Sequence, residues 1–200
     1  MKLKTLFMTA MMAVFALTAS AQSAGDVRFG VTAGMNVANI TDTESDCRIG
    51  FNVGVKGEYN FSNSLYGTAG LLFTQKGCKA DEAIYPGKSV TIKCTPGYLQ
   101  LPVNIGYRYN VGDGVSIFGE TGPYFAVGVC GKYKAGDEKI DFFGDDGVDA
   151  KRFDCGWDVK VGVEASGFQI GLGYEYGFTK VWEDTSAHNS NFMVSVAYMF

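Results

Sequence analysis

Asn191-Phe-Met-Val-Ser-Val-Ala-Tyr-Met-Phe200 alternates strictly, with Phe192, Val194, Val196, Tyr198 and Phe200 on one face. A period of two residues is the signature of a β-strand. The segment stops on a phenylalanine, whereas the ends of water-soluble domains are usually polar and frayed. An apolar face that runs to the last residue is expected of a strand that meets lipid.

Seven earlier segments repeat this pattern. Val27 to Val37, Phe51 to Phe61 and Leu65 to Phe73 place apolar residues at alternate positions, and so do Leu99 to Tyr109 and Val115 to Val129. Trp157 to Val163 and Phe168 to Phe178 complete the set. Most of these runs are about twice the ~5–6 residues of an ordinary strand and match the ~9–11 of a tilted membrane strand. The connections alternate in length. Ser62-Asn63-Ser64, Asn110 to Gly114 and Ser166-Gly167 are tight, while the stretches around 40–49, 77–97, 130–154 and 179–190 are long. Short turns on one side and long loops on the other are the pattern of a transmembrane barrel. The expected fold is all-β: an eight-stranded antiparallel transmembrane β-barrel with short periplasmic turns and long outer loops.

The 27 Gly, 15 Phe and 11 Tyr of this 200-residue chain agree with that class. Lys2 and Lys4, the apolar run Leu6 to Leu17 and Ala19-Ser20-Ala21 read as a signal peptide over residues 1–21. The barrel domain would then span 22–200. That segment has 15 basic and 21 acidic residues, a net charge of −6, which argues against a nucleic-acid partner. No later segment offers the ~20 consecutive apolar residues of a membrane helix.

A soluble eight-stranded calyx is the main rival, with the apolar face turned inward. Three features favour the membrane reading. The polar face is rich in Gly, which suits a narrow lumen. It carries isolated charges of both signs. Aromatic residues of the apolar face gather in two groups, Tyr59, Phe61, Tyr107, Tyr109, Phe168 and Tyr198 at one rim and Phe51, Phe73, Trp157, Tyr176 and Phe178 at the other, as two membrane interfaces require. Pro102 and Pro123 fall inside strands and each removes a ladder donor, so a bulge or a local water is expected near each.

Tyr98-Leu-Gln-Leu-Pro-Val-Asn-Ile-Gly-Tyr-Arg-Tyr109 resembles the central signature of the PorT-type outer-membrane β-barrel family, and Gly122-Pro-Tyr-Phe-Ala-Val-Gly128 its fifth strand. The terminal strand is similar too. The resemblance implies an OmpA/OmpX-like eight-stranded barrel in the cell outer membrane. It implies that Tyr198 and Phe200 serve as an insertion signal read by the barrel-assembly machinery. Some members of the family are accessory components of a secretion system.

The inward face would carry Arg28, Lys56, Arg108 and Lys160 against Glu58, Glu120, Asp158, Glu164 and Glu175. Buried charges need partners, so the expectation is an ionic network plugging the lumen, with a small gated channel or porin as the alternative. Catalytic groups are sparse. His188-Asn-Ser190-Asn191, with Glu183 and Asp184 nearby, is vaguely like the outer-membrane lipid A deacylases, but a polar loop entering a strand explains it as well. A non-enzymatic protein is expected, with a lipid A hydrolase as the third reading. Gly144 to Asp149, preceded by Asp141, is an acidic turn that lacks the ligand order of a calcium loop. No metal or other cofactor is expected.

The five cysteines lie in or beside the long loops. Cys78 with Cys94, and Cys130 with Cys155, bracket one loop each and are candidate disulfides in an oxidising compartment. Cys47 is left over and could replace a partner. The expected partners are outer-membrane lipid, the assembly machinery during insertion and other envelope proteins.

Overall fold

The computed structural model describes residues 25–41, 46–85, 88–135, 138–143, 150–181 and 187–200. The expected signal peptide, the acidic turn 144–149 and the Glu183–Asp184 pair lie outside the described residues.

Among the described residues twelve strands follow in chain order: β1 Val27–Ile40, β2 Asp46–Asn60, β3 Leu65–Gln75, β4 Cys78–Tyr85, β5 Lys88–Cys94, β6 Gly97–Gly112, β7 Val115–Cys130, β8 Lys132–Ala135, β9 Glu138–Asp141, β10 Phe153–Ala165, β11 Phe168–Lys180 and β12 His188–Met199. Eight of them close a barrel in the order β1-β2-β3-β6-β7-β10-β11-β12, with β12 returning to β1. Gly30 lies opposite Met199 on one side of β1 and opposite Lys56 on the other, and every barrel pairing is antiparallel. The terminal segment that decides the fold therefore closes the barrel. Closure pairs every edge, which is what a strand surrounded by lipid requires.

The tight connections have the backbone they need. Ser166 and Gly167 both take positive φ, the geometry of a two-residue hairpin turn. Gly112, Asp113 and Gly114 do the same between β6 and β7. The opposite end differs from the expectation. The stretches 77–97 and 130–154 are not simple loops. β4 and β5 form one hairpin, β8 and β9 another, and β5 pairs β8. Together with the first residues of β2 they make a sheet β2-β4-β5-β8-β9 that continues the wall beyond the barrel mouth.

Outside, the wall is apolar: Val53, Val103, Val159, Leu172 and Val194 are each 42–49% exposed. The rims carry ring pairs, among them Tyr59–Phe61 at 5.3 Å and Phe168–Tyr198 at 4.7 Å on the short-turn side and Phe51–Phe73 at 5.9 Å on the other. Tyr198 also neighbours Phe200 at 6.0 Å.

 Trp157, opposite Tyr176 of β11, lines a groove on the outer wall with Tyr59, Phe61 and Pro123, and its Nε1 donates to Thr121 Oγ1 at 2.8 Å. The bulge expected at each proline is not found. No register shift occurs at Pro102 or Pro123. The ladder instead skips two rungs beside each proline, between Ala69–Val103 and Leu72–Gln100 and between Pro102–Tyr124 and Ile105–Thr121. A missing N–H costs a rung without adding a residue.

Inside, glycine makes room for rings. A Cβ on Gly106 would lie 2.6 Å from Tyr66 Cε2. That ring is held in place, because Tyr66 Oη donates to Glu120 Oε1 at 3.2 Å and the Arg108 guanidinium lies 4.3 Å from the ring centre. Gly106→Ala is expected to destabilise the barrel by about 1–3 kcal/mol through overpacking. Gly119→Ala, whose Cβ would meet only the Lys160 carbonyl oxygen at 4.0 Å, is expected to be neutral. Denaturant unfolding in detergent micelles compares the two, and equal effects would contradict this account of the lumen.

Candidate functional site

The alternation that turns apolar residues outward turns Arg28, Lys56, Glu58, Arg108, Glu120, Asp158, Lys160, Glu164 and Glu175 into the lumen. Near the short-turn end seven of them, all but Asp158 and Glu175, form one cluster. Glu58, whose side chain is fully buried, receives Arg28 through Nη2, Arg108 at 2.8 Å and Lys56 at 3.1 Å. Glu164 binds Arg28 at 2.7 Å and Arg108 at 3.0 Å. Glu120 binds Lys56 at 3.0 Å and Lys160 at 3.4 Å. Gln169 Nε2 donates to both Glu58 and Glu164, at 2.9 and 2.8 Å. Each carboxylate serves at least two cations, which offsets the cost of removing the charges from water.

A second cluster sits toward the outer mouth. It contains Glu175 and two residues that sequence reasoning missed, Lys76 and Asp154. Lys76 Nζ lies 3.1 Å from Glu175 and 3.6 Å from Asp154, and 4.2 Å from the centre of the Tyr124 ring. Gln100 and Asn191 donate to Glu175 at 2.5 and 3.1 Å. Thr179 and Asn189 donate to Asp154 at 2.6 and 3.0 Å. Asp158 lies between the clusters and accepts from Asn104 at 2.8 Å, with no ion pair among the described residues. The two clusters leave a central void of about 40 Å³, bordered by Thr68, Gln100, Asn104, Glu120, Asp158 and Glu175.

Above the second cluster the lining turns apolar. Ile40, Tyr98, Tyr124, Phe142, Phe143, Val181 and Ala187 pack as one buried group with Cys78 and Cys94. Phe143 meets Tyr98 edge-on at 5.6 Å and Phe142 at 5.0 Å. Residues from several strands and connections thus roof the outer mouth.

The remaining candidates separate. His188 and Ser190 alternate with the buried Asn189 and Asn191. Ser190 Oγ contacts Tyr174 Oη at 3.1 Å, and His188 stacks on Tyr176 at 5.9 Å. A nucleophile needs a base within hydrogen-bond reach, and here the serine hydroxyl pairs with a phenol. All five cysteines carry thiols. Cys155 lies opposite Phe125, five residues along β7 from Cys130. At ~3.4 Å per residue that separation exceeds the ~7 Å limit for a disulfide, so the expected Cys130–Cys155 staple is overturned. Shear between β7 and β10 defeats a pairing inferred from the ends of one connection. Among the described residues no group of three His, Cys, Asp or Glu side chains is placed to hold a metal ion.

The family profile described as "Outer membrane protein beta-barrel domain" matches residues 20–183. The chain belongs to this family. Its place is the cell outer membrane, so the apolar wall faces lipid and the hairpin sheet lies on the long-connection, outer side. Among solved structures, this outer-membrane barrel is similar to the Neisserial surface protein NspA, at 12% identity over 87% of this chain and 97% of that one, with a TM-score of 0.50. OprG of Pseudomonas aeruginosa matches at 13% identity over 90% and 99%, with a TM-score of 0.49. Ail, the attachment invasion locus protein of Yersinia pestis, matches at 16% identity over 88% and 99%, with a TM-score of 0.48. At these identities the likeness concerns the fold alone. None of the curated proteins compared matches the sequence.

Proposed function

We propose that this outer-membrane barrel works with a closed lumen, as a structural or surface-interaction protein or as an accessory to an envelope secretion machine, and not as an enzyme. The observation that carries the reading is the filling of the lumen. Two ion-pair clusters and an apolar roof occupy it and leave a void of about 40 Å³. An eight-stranded barrel is narrow enough for side chains to fill. The sheet β2-β4-β5-β8-β9 then offers the surface for envelope partners. The Tyr98–Tyr109 signature supports a PorT-type assignment within the broader family. Tyr198 and Phe200, whose rings are 6.0 Å apart, support the reading of the last strand as an insertion signal for the assembly machinery.

Planar-bilayer recording of the purified full chain tests the closed lumen. The expected result is no stable current at voltages below membrane breakdown. A large, stable conductance would replace this reading with a small porin.

A further inference from the structure

Three cysteines that the sequence scatters over 48 residues meet in one row at the outer mouth. Cys47 in β2 is the cross-strand partner of Cys78 in β4. Cys78 and Cys94 lie one rung beyond the Lys79–Lys93 pair of β4 and β5, and their thiols are hydrogen-bonded. Directly opposed residues of antiparallel strands have Cα atoms ~4.5–5.5 Å apart, inside the ~4.4–6.8 Å range of disulfides. Cys78 therefore has a bonding partner on each side and can bond only one at a time.

The surroundings differ along the row. Cys78 and Cys94 are buried in the apolar roof, whereas Cys47 is exposed. The Arg48 guanidinium interacts electrostatically with Cys78 and Cys94 and is anchored by the Lys76 carbonyl oxygen at 3.1 Å and Gln75 Oε1 at 3.2 Å. A fixed cation beside a thiol favours the thiolate, the form that exchanges. The Cys94 thiol is itself pushed up by its hydrogen bond to Cys78 and by burial, so it is a poor resting thiolate.

We propose that Cys47, Cys78 and Cys94 form a thiol–disulfide exchange site in which Cys78 bonds alternately to Cys94 and to Cys47. Oxidation needs a disulfide-bearing oxidant. Cys78 thiolate attacks one sulfur of the oxidant and releases the other as a thiolate. Cys94 thiolate then attacks Cys78, forms the Cys78–Cys94 bond and releases the second oxidant thiolate. The two protons lost by the cysteines go to the reduced oxidant. In the exchange step Cys47 thiolate attacks Cys78 Sγ. The Cys47–Cys78 bond forms, the Cys78–Cys94 bond breaks, and Cys94 leaves as a thiolate that takes up the proton Cys47 gave. No net oxidation occurs in this step. The state with Cys78–Cys94 bonded presents Cys47 at the surface, ready for a mixed disulfide with a thiol- or disulfide-bearing molecule. The state with Cys47–Cys78 bonded hides that thiol and leaves, of these three, only the buried Cys94.

The full-length protein, folded in detergent and treated with oxidised glutathione, is alkylated, digested without reduction and mapped by mass spectrometry. In the wild type Cys78 is expected in bonds to both Cys94 and Cys47. In Cys47→Ser all of it moves to Cys94. In Cys94→Ser it moves to Cys47, with loss of maleimide labelling at Cys47. Cys94→Ala repeats the test should the serine variant lose the heat-dependent gel shift of a folded barrel. Cys78 that stays alkylatable in both Cys94 variants while Cys47→Ser forms Cys78–Cys94 would reduce the site to a plain staple and overturn the proposal. Bonding of Cys78 to Cys130 in those variants would overturn it too.

Discussion

Glu58→Gln is expected to cost this barrel about 3–5 kcal/mol of stability, the range for leaving buried charges without their partner. Glu58 is the acceptor on which Arg28, Arg108 and Lys56 converge, and Gln169 donates to it as well. Glutamine keeps the size but turns an amide N–H₂ toward donors. Arg28, Lys56, Arg108 and Lys160 would then share Glu120 and Glu164 alone. Lys160→Met provides the contrast. Its side chain is 24% exposed and lies 3.4 Å from Glu120, which keeps Lys56. That loss is expected to stay below about 1 kcal/mol, as for other partly solvated pairs. Denaturant unfolding in micelles measures both. Adding Arg28→Met to Glu58→Gln is expected to recover part of the loss, since the two residues interact and their effects should not add. A Glu58→Gln loss no larger than that of Lys160→Met would show that the convergence on Glu58 carries no special weight.

The barrel was legible because period-two alternation writes inside and outside into the chain. Once Val53, Val103 and Val159 are placed outward, Glu58, Arg108 and Glu164 of the same strands must turn inward, and no knowledge of neighbours is needed. What the alternation does not carry is height along the barrel. Lys76 follows β3 directly beside Gly77 and reads as a solvated loop residue. Its burial is decided by Tyr98 and Tyr124, which come from β6 and β7 and close over it. The same ignorance of height suggested Cys130 with Cys155 and concealed Cys47 opposite Cys78. The rim hairpins did leave a trace. Lys88-Ser-Val-Thr-Ile-Lys-Cys94 alternates and is rich in β-branched residues, but its position in a long connection masked it.

Aromatic residues show the other limit of a face-based reading. The rim groups read from the sequence take only rings on the apolar register. Tyr66, Tyr98, Phe118 and Tyr124, which those groups leave out, point inward and are among the most buried side chains. A narrow lumen needs large flat groups opposite its glycines, and the tyrosine hydroxyls find acceptors there, as Tyr66 does on Glu120 and Tyr124 on Asp154 at 3.3 Å. Their place on the polar register was the available signal.

Lys76→Met should be as damaging at the outer mouth as Glu58→Gln is at the other end, for the opposite electrostatic reason. Lys76 is the cation that Glu175 and Asp154 share. Every other contact of those two carboxylates described above is a neutral donor: Gln100 and Asn191 for one, Thr179, Asn189 and Tyr124 for the other. Methionine fills much of the lysine volume, so the change removes charge rather than packing. Two buried carboxylates are left without a cation, and the contact between Nζ and the Tyr124 ring is lost with it. The expected cost is again about 3–5 kcal/mol. A second substitution separates charge from shape. Glu175→Gln alone leaves Lys76 with Asp154 and should cost less. Combined with Lys76→Met it removes one of the stranded charges, so the double variant is expected to be more stable than Lys76→Met alone. Unfolding curves of the three variants in the same micelles decide the matter. A double variant as unstable as the sum of the singles would mean that Lys76 acts by filling space and not by neutralising the outer half of the lumen.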